Sequence, residues 1–383
     1  MKRIGFRLHC LIAILAVILL LSGCKQTENT NTDQQLLGMD GEELEKESQQ
    51  EFNEEFVKEN EEVKEEEEEK KDYIKWVDFQ VTYEALDAAY KYDVSSYGSE
   101  PHYNWIELLA YLGARYGGDF KRFQEADMKV LCDKLAEGKT IEELTEKMSY
   151  YNYYKEAYEA VLGGMVGEYQ IEEEQTQENQ TDSEEQLEYV TRYGLKAFSP
   201  IAKNFPYSDY DDFGASRSYG YRRVHLGHDM MGATGTPIIA VESGYVEALG
   251  WNQYGGWRIG IRSFDKKRYY YYAHLRKDFP YNKELEEGSI VQAGDVIGYL
   301  GHTGYSVKEN VNNIDIPHLH FGLQLIFNES QKEGNNEIWI DCYALVRFLY
   351  RNRSETVKVP ETKEWIRTKQ FIDPVAQEYK NKK

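Results

Sequence analysis

The chain is poor in cysteine and lacks a basic stripe. Its 383 residues include only four cysteines, of which Cys10 and Cys24 lie in an N-terminal segment treated below. Cys132 and Cys342 remain, either paired or as two buried free thiols, and one pair does not make the disulfide framework of a small secreted domain. Without a basic stripe there is nothing to neutralise phosphates, which excludes nucleic acid as a partner.

A long apolar run is missing as well. Residues 11–21 are apolar and follow a basic start, but they are fewer than the roughly 20 residues that a membrane-spanning helix needs. We therefore predict a signal peptide over residues 1–24. Its end, Leu-Ser-Gly-Cys24, resembles the lipobox of bacterial lipoproteins, in which the thiol carries diacylglycerol; an ordinary signal peptide or an uncleaved anchor are the alternatives. The prediction is an exported protein, lipid-anchored at Cys24 on the outer face of the bacterial cytoplasmic membrane.

Acidic residues are plentiful, but they are confined to two stretches. The net charge is −22, from 45 basic and 67 acidic residues. Residues 39–72 hold 17 acids and 5 bases, and residues 171–189 hold 8 acids and no base, so these two stretches carry nearly all of the net charge. Blocks of like charge repel one another and cannot bury enough apolar surface to fold alone. We predict a disordered or partly helical tether over residues 25–72 and an acidic linker over residues 171–190.

Residues 73–170 have the periodicity of helices. Apolar residues recur at three- and four-residue spacing in the range 105–112, and Thr140 and Glu143 have the form of a capping box. The pattern predicts a small α-helical domain of about four or five helices. A row of tyrosines within residues 151–162 could stack on sugar rings, but helical spacing favours a packed core edge. No paired-carboxylate motif indicates a glycosidase.

From residue 191 the pattern changes to short alternating strands separated by glycines, which predicts a mainly antiparallel β-sheet domain over residues 191–350. Strands are predicted at 245–248, 257–262, 269–275, 296–300 and 318–325, with a further strand and a short helix between 338 and 350. Residues 351–383 are predicted to be a polar, loosely ordered tail. The fold class is therefore multidomain α plus β, with a small α-helical domain followed by the β-sheet domain.

Five polar residues in the β-sheet region have the composition of a zinc site with its own bases. His225 and Asp229 are four residues apart, and they share a face if they lie on one extended strand. His318 and His320 share a face for the same reason, and His274 is the fifth member. Imidazole and carboxylate suit Zn²⁺, and a catalytic zinc needs three protein ligands with a fourth position left open for water. The set holds two more side chains than the metal needs.

The five residues stand in ordered motifs. Residues 225–229 read His-Leu-Gly-His-Asp, residues 272–275 read Tyr-Ala-His-Leu, residues 294–304 are glycine-rich, and residues 317–321 read Pro-His-Leu-His-Phe. In this order they resemble the motifs of the lysostaphin-type (LytM-like) zinc metallopeptidases, which cut the peptide part of bacterial peptidoglycan. The resemblance covers roughly residues 215–325, a domain-sized part of the chain.

The resemblance implies a role for each of the five residues. His225, Asp229 and His320 would bind zinc, while His274 and His318 would be non-ligand histidines that handle protons, in an order that stays open. Zinc lowers the pKa of its bound water and polarises the scissile carbonyl. One neutral imidazole can then take a proton, and a second can stabilise the oxyanion or protonate the leaving amine. The implied function is a zinc-dependent endopeptidase acting on peptidoglycan peptide stems or cross-links.

Two alternatives remain beside the endopeptidase. One is a non-catalytic cell-wall-binding or scaffold protein on the same fold, although such members typically resemble the family with ligands lost, and none is lost here. The other is a zinc amidase or carboxypeptidase that acts on the wall. Two departures from the family pattern accompany the match: a longer polar loop over residues 305–317, expected to narrow the substrate range, and Gly322, where many members have an acidic or amide side chain.

The remaining predictions concern side chains around the site. Tyr270 and Tyr272 alternate with their neighbours along one strand and are predicted to share the face of His274, lining a groove beside it. His228 is predicted to point away from Asp229 and to be a structural residue, like His102 and the other histidines outside the five.

Overall fold

The structure, a computed structural model, describes residues 73–174, 187–219, 221–334 and 336–382. The predicted signal peptide, the lipid site at Cys24 and the acidic tether lie outside the described residues, so they stay predictions. From Tyr73 onwards the chain forms one compact unit.

Helices fill the first part of this unit, as the periodicity predicted. They are α1 (Tyr83–Ser96), α2 (Trp105–Tyr116), α3 (Glu125–Ala136), α4 (Ile141–Thr145) and α5 (Tyr151–Leu162). The side chain of Asn104 starts α2 by accepting hydrogen bonds from the backbone N–H groups of Ile106 and Glu107, at 2.9 and 3.2 Å. Thr140 and Glu143 form the predicted capping box at α4. In the described part of the chain, no helix has the length and apolarity needed to cross a membrane.

The tyrosine row on α5 faces the core. Tyr151 and Tyr158 are 6% and 0% exposed, and the Tyr158 ring packs edge-on against Phe79 with centroids 5.6 Å apart. The packed core edge is therefore confirmed over the sugar-stacking alternative for these two rings.

Strands form the rest of the unit. In chain order they are β1 (Val166–Glu174), β2 (Leu187–Leu195), β3 (Tyr207–Asp209), β4 (Ser216–Tyr219), β5 (Tyr221–Val224), β6 (His228–Gly232), β7 (Pro237–Ile239), β8 (Gly244–Asn252), β9 (Gly256–Ser263), β10 (Arg268–Ala273), β11 (Ile290–Val291), β12 (Val296–Tyr299), β13 (His318–Leu325), β14 (Ile338–Ile340), β15 (Thr356–Lys358), β16 (Trp365–Arg367) and β17 (Phe371–Ile372). Eight of them form one antiparallel sheet in the order β11-β8-β9-β10-β13-β6-β3, with β14 beside β13. The predicted α plus β class and the antiparallel sheet are confirmed.

The predicted acidic linker needs correction where the structure describes it. Residues 171–174 and 187–190 belong to β1 and β2, which pair in register from Val166↔Leu195 to Glu174↔Leu187. The acids are tolerated because an antiparallel hairpin turns alternate side chains to solvent, where Arg192 pairs with Glu173 at 2.9 Å. The prediction of a linker from charge density alone is therefore wrong for these residues. Their backbone groups form hydrogen bonds with the partner strand.

The predicted loose tail also needs correction. Residues 351–382 include β15, β16, β17 and helix α7 (Pro374–Lys382), and β17 pairs with β1. Phe371 is 3% exposed, and the buried pair Lys196–Asp373, at 2.9 Å, ties the segment to the end of β2. Strands of two or three residues are too short to leave a periodic signal, so sequence pattern alone missed them.

The helices pack directly on the β-sheet region. Helix α6 (Tyr343–Leu349) carries Phe348, whose ring lies 5.5 Å from that of Tyr90 on α1 and 5.9 Å from that of Trp105 on α2. One hydrophobic core runs through both regions. The domain boundaries drawn from the sequence stay predictions, and the described chain shows no spacer between the two regions.

Arg268 on β10 provides a polar link between the regions. Its guanidinium donates to both carboxylate oxygens of Glu242, at 2.8 and 3.0 Å, and also to the carbonyl oxygens of Glu159 and Ala160 near the end of α5, at 3.3 and 3.0 Å. Tyr270 donates a third hydrogen bond to Glu242, at 2.6 Å. A single buried arginine thus satisfies a buried carboxylate and two carbonyls at a helix end.

Replacing Arg268 by methionine is expected to lower the free energy of unfolding by about 3–5 kcal/mol, because it leaves the Glu242 carboxylate buried without a charge partner. Urea unfolding of the full chain, followed by circular dichroism, measures the loss. Arg192→Met is the matched control, since it removes an exposed ion pair worth at most about 1 kcal/mol. A loss for Arg268→Met no larger than that of the control would contradict the prediction.

Candidate metal centre

Three of the five predicted site residues converge on one point. His225 Nε2 lies 3.0 Å from Asp229 Oδ1 and 3.0 Å from His320 Nδ1, and His320 Nδ1 lies 2.9 Å from Asp229 Oδ1. Within the described ranges, these residues form a His/Asp cluster whose geometry could hold a metal ion. They are the three residues for which the resemblance implied that role.

Pairing of two strands brings the centre together. Asp229 on β6 lies opposite His320 on β13 in the register. His225 precedes β6, so the prediction that one strand carries both His225 and Asp229 is wrong. The turn between them depends on Gly227, where an added Cβ would lie 2.5 Å from two ring atoms of His320. A glycine therefore allows the turn to pass against the His320 ring.

Two residues that the sequence did not single out support the centre. His225 Nδ1 donates to the backbone carbonyl of Asp212, at 3.2 Å, and is equally close to its carboxylate. Arg217 pairs with the Asp212 carboxylate and lies 3.6 Å from Asp229 Oδ2. With its proton held at Nδ1, His225 presents the lone pair of Nε2 to the centre. Neither residue belongs to a motif, so no sequence signal pointed to them.

Burial and the close contacts among the three side chains shift the pKa of each one, and for Asp229 and His320 the shift favours the form that can bind a metal. Burial works against a charged Asp229, but hydrogen bonds from His225 and His320 hold its pKa far below the usual range. Burial lowers the pKa of His320, which favours the neutral ring that can act as a ligand. At His225, burial again opposes the charge, but the Asp229 and Asp212 carboxylates outweigh it and raise the pKa.

The donor set fits a divalent cation. Two imidazole nitrogens and one carboxylate oxygen meet at 2.9–3.0 Å, close to the edges of about 3.3 Å expected of a tetrahedron with bonds of about 2.0–2.1 Å. Acceptor atoms this close repel one another unless a cation or shared protons lie between them. Three protein ligands leave one position of a tetrahedron open, which is the arrangement of catalytic rather than structural sites.

The two remaining histidines lie beside the centre. The His274 ring centroid is 4.8 Å from that of His318 and 5.7 Å from that of His320, and His318 Nε2 lies 3.7 Å from Asp229 Oδ1. His274 Nδ1 donates to the carbonyl of Thr303 at 3.0 Å, and His318 Nδ1 donates to that of Ile316 at 2.8 Å. In the neutral form of each ring, Nε2 is therefore the nitrogen that carries no proton.

The backbone of His274 explains why the predicted groove tyrosines are the wrong ones. His274 has φ 61°, a left-handed conformation that interrupts strand alternation directly after β10. As a result Tyr269, Tyr271 and His274 line the cleft, whereas Tyr270 and Tyr272 are fully buried in the core. Such a conformation at a non-glycine residue is costly and is frequent at functional sites.

The centre lies in a cleft of about 520 Å³. Its lining comes from residues 217–339 and includes the sheet face, the β4–β5 hairpin and Tyr305 of the long loop. The ring of Tyr305 lies 5.7 Å from that of His274. The predicted loop over residues 305–317 is thus beside the site, as expected.

Comparison with known proteins agrees with this geometry. The family model described as peptidase family M23 matches residues 223–359, which contain all five residues. Residues 223–359 are thus similar to the M23 peptidases. The predicted resemblance to the lysostaphin-type peptidases is thereby confirmed for this part of the chain.

Relatives of this chain are similar over part of their length. The L-Ala--D-Glu endopeptidase of Bacillus subtilis (strain 168) is 39% identical over 154 residues, which cover 40% of this chain and 44% of that protein. Lysostaphin of Staphylococcus staphylolyticus is 39% identical over 99 residues, covering 26% of this chain and 18% of its own. The chain thus spans less than half the length of these relatives. A lytM crystal structure from Ruminococcus gnavus superposes with a TM-score of 0.46 at 23% identity, covering 73% of this chain and 92% of that one.

Gly322, the departure from the family pattern, has a local cause. An added Cβ at Gly322 would lie 2.7 Å from Cζ3 of Trp339, whose ring packs on this point of β13. Trp339 of β14 lines the cleft, so its indole occupies the space that a side chain at position 322 would need.

The other predicted residues are structural. His228 is 2% exposed and its Nε2 lies 2.9 Å from Asp209, on the opposite side of β6 from Asp229, as predicted. His102 lies 3.2 Å from Asp93 in the helical region. Cys132 and Cys342 are free and buried, which decides the open alternative in favour of two thiols.

Proposed function

We propose that this chain is a zinc-dependent endopeptidase that hydrolyses amide bonds in peptidoglycan peptides. One observation carries the proposal: a His/Asp donor set of three residues lies next to two further histidines whose Nδ1 atoms donate to backbone carbonyls, which leaves Nε2 of each neutral ring as the acceptor. The names of the relatives, an L-Ala--D-Glu endopeptidase and lysostaphin, support a peptidase acting on the wall.

We assign the metal to His225, Asp229 and His320. A zinc ion held by them supplies Lewis acidity toward the scissile carbonyl and lowers the pKa of a water toward neutrality. Asp212 and Arg217 position this ligand set, because they hold the His225 ring and the Asp229 carboxylate through the contacts described above.

We assign proton handling to His274 and His318. Burial and the neighbouring histidines lower the pKa of His274 well below its usual value, so this ring is neutral and able to accept a proton at Nε2. His318 has the same tautomer through Ile316 and stands between His274 and Asp229. One ring would take the proton of the attacking water while the other stabilises the oxyanion or protonates the leaving amine; the order of the two stays open.

Export and lipid anchoring are part of the same proposal. The substrate lies outside the cytoplasmic membrane, and the signal peptide and lipobox-like Cys24 would hold the enzyme there. Mass spectrometry of protein isolated from cells is expected to find a diacylglyceryl group on Cys24. An unmodified thiol on the mature chain would contradict the anchor while leaving the peptidase proposal intact.

The enzymatic proposal is tested with the full chain, loaded with zinc and incubated with purified cell walls. We expect release of fragments and the appearance of new amino termini, identified by mass analysis. Zinc binding without new termini from any wall type would instead favour the scaffold alternative. Fragments that have lost only a terminal residue, or the glycan–peptide link, would indicate a carboxypeptidase or an amidase.

Replacing Asp212 by asparagine is expected to weaken zinc binding by about 10- to 100-fold, because the negative charge that lies beside His225 and pairs with Arg217 is lost. Competition with a chromophoric chelator measures the affinity of the full chain. Asp209→Asn is the matched control, since Asp209 pairs with His228 outside the centre. Equal affinity of Asp212→Asn and the control would refute the supporting role.

A further inference from the structure

A row of residues crosses the floor of the cleft from the metal centre to an arginine. His320 on β13 pairs with Ala273 on β10. The last registered pair between β10 and β9 is Tyr272 with Ile259, so the next pair of this antiparallel ladder places Arg258 beside Ala273. Neighbouring strands are about 4.8 Å apart, which puts the backbone of Arg258 about 10 Å from that of His320. Arg258 also lines the cleft.

The charge of Arg258 is not balanced by a carboxylate of the described residues. Arg262, on the same strand, pairs with Glu329 at 2.8 Å and Glu247 at 3.5 Å, and Arg268 on the next strand pairs with Glu242 at 2.8 Å. None of the ion pairs formed by residues in the described ranges includes Arg258. A half-buried guanidinium in a cleft is stabilised when an anion binds to it.

A second guanidinium, that of Arg223, also lines the cleft. Arg223 of β5 lies over the ring of Tyr305, 4.5 Å from its centroid, and lines the same cleft. Burial raises the pKa of Tyr271, and a hydrogen bond from Asn252 together with the charges of Arg258 and Arg223 opposes that rise. Both guanidiniums are therefore close enough to the Tyr271 hydroxyl to influence its charge, and the Tyr271 ring lies 6.0 Å from that of His320.

The other charges of the cleft are accounted for elsewhere. Arg217 belongs to the metal centre through Asp212 and Asp229. Lys332 pairs with Glu247 at 3.2 Å. Glu333 and Glu337 are exposed at the rim on the side of Trp339, and Glu337 accepts a hydrogen bond from the indole at 2.7 Å. Arg217 and Lys332 are therefore paired with carboxylates, whereas Arg258 forms no ion pair with a carboxylate of the described residues.

We propose that Arg258 and Arg223 form a carboxylate-binding subsite around Tyr271, which selects peptides carrying a free carboxylate over neutral or amidated ones. This rests on the proposed function and names the substrate class of the same site. A guanidinium binds carboxylate through two parallel hydrogen bonds. At about 3.3–3.6 Å per extended residue, the separation of about 10 Å between the backbones of Arg258 and His320 corresponds to about three residues of peptide. The selected carboxylate is therefore near the scissile bond without taking part in the reaction.

The test uses two synthetic tetrapeptides that contain an L-Ala–D-Glu pair and differ in one group. One has a free glutamyl carboxylate, and in the other this carboxylate is a carboxamide. Titration calorimetry with the full chain is expected to show about tenfold tighter binding of the acid. Arg258→Gln should weaken binding of the acid about tenfold and leave the amide unchanged within about twofold. Arg258→Lys should be intermediate, because an ammonium keeps the charge without the two-point contact.

Arg222→Gln is the matched control. Arg222 is exposed and lies on the same strand as Arg223. Its side chain donates to Ser216 Oγ at 3.3 Å, and Arg222 does not line the cleft. The substitution should leave the affinities for the acid and for the amide unchanged. Arg223→Gln should reduce the preference for the acid as Arg258→Gln does. Equal binding of acid and amide by the unmodified chain, or equal weakening of both by Arg258→Gln, would overturn the subsite.

Cleavage of the two peptides, followed in parallel, separates this inference from the proposed function. A preference for the acid without new amino termini would leave the subsite standing and remove the endopeptidase. Cleavage of the acid and the amide with equal kcat/KM would leave the endopeptidase standing and remove the subsite.

Discussion

Replacing His320 by alanine is expected to abolish stoichiometric zinc binding and, with it, wall hydrolysis. His320 Nδ1 lies 2.9–3.0 Å from both other donor atoms, so its loss removes one of three ligands and the contact that closes the cluster. Zinc sites with four ligands bind with roughly 10–16 kcal/mol, or about 3–4 kcal/mol for each ligand. We therefore expect the affinity to fall by about a hundred- to a thousandfold. Zinc content after dialysis, measured by mass spectrometry, gives the result.

The control is His302→Ala, which removes a histidine from the glycine-rich segment of residues 294–304. His302 Nδ1 donates to the carbonyl of Ile314 at 2.8 Å and belongs neither to the centre nor to the cleft lining. This variant should retain about one zinc per chain. His225→Ala should behave like His320→Ala, and a folded His320→Ala protein with full zinc content would show that the ligand set is wrong.

Replacing His274 or His318 by alanine is expected to leave zinc bound and to lower kcat by about 10²- to 10⁴-fold. The reason is that each ring holds its proton at Nδ1 through a backbone carbonyl and keeps Nε2 available beside the centre, while neither belongs to the cluster that binds the metal. At 1.36 kcal/mol per tenfold, the loss corresponds to about 3–5 kcal/mol of transition-state stabilisation. Release of new amino termini per mole of zinc-loaded enzyme measures it.

The double variant distinguishes joint from independent action. If the two histidines act on the same step, the His274→Ala/His318→Ala protein should be hardly slower than the worse single variant. Circular dichroism and zinc content check that each variant is folded and loaded. A loaded variant that keeps activity within about tenfold of the unmodified enzyme would remove that histidine from the reaction.

The donor set was readable from the sequence because it depends on residue type and local order. His225 and Asp229 lie in one motif, and His318 and His320 are separated by a single residue, so chemistry and short spacing singled them out before any fold was known. The reasoning about faces was right for β13 and wrong for β6, which begins at His228 and leaves His225 in the preceding turn. The three residues that the resemblance implied as ligands are the ones that the fold brings together, and their role as ligands stays a proposal.

The prediction from strand alternation along β10 is wrong at His274, because the backbone φ angle of this residue is left-handed. Tyr270, Tyr272 and His274 would share a face on a regular strand, but the left-handed backbone of His274 turns its ring to the side of Tyr271. Periodicity assumes one repeating conformation, and a residue held in a rare one by its surroundings cannot be read from the pattern. The hydrogen bond from His274 Nδ1 to Thr303, 29 residues away, is part of those surroundings.

The charged segments show a related limit. Residues 171–174 and 187–190 look like parts of an acidic spacer, yet they form strands because β1 has both β2 and β17 as partners. The partner β17 comes from residues 371–372, about 200 positions away, in a segment that looked like a loose tail. Local composition reports what a segment can do alone, and it contains no information about a distant partner.

The sequence by itself determined the residue types and motif order of a candidate metal centre, the β-rich character of the domain that holds them, and the helical region before it. These features follow from residue type and from repeats of two to four positions. Only the tertiary structure decided which side chains support and surround the centre, including Asp212 and Arg217 behind the ligands and Arg258 two strands away from His320. The physical reason is that strand order and register are set by packing and hydrogen bonds between distant segments, which place residues side by side regardless of their separation in the chain.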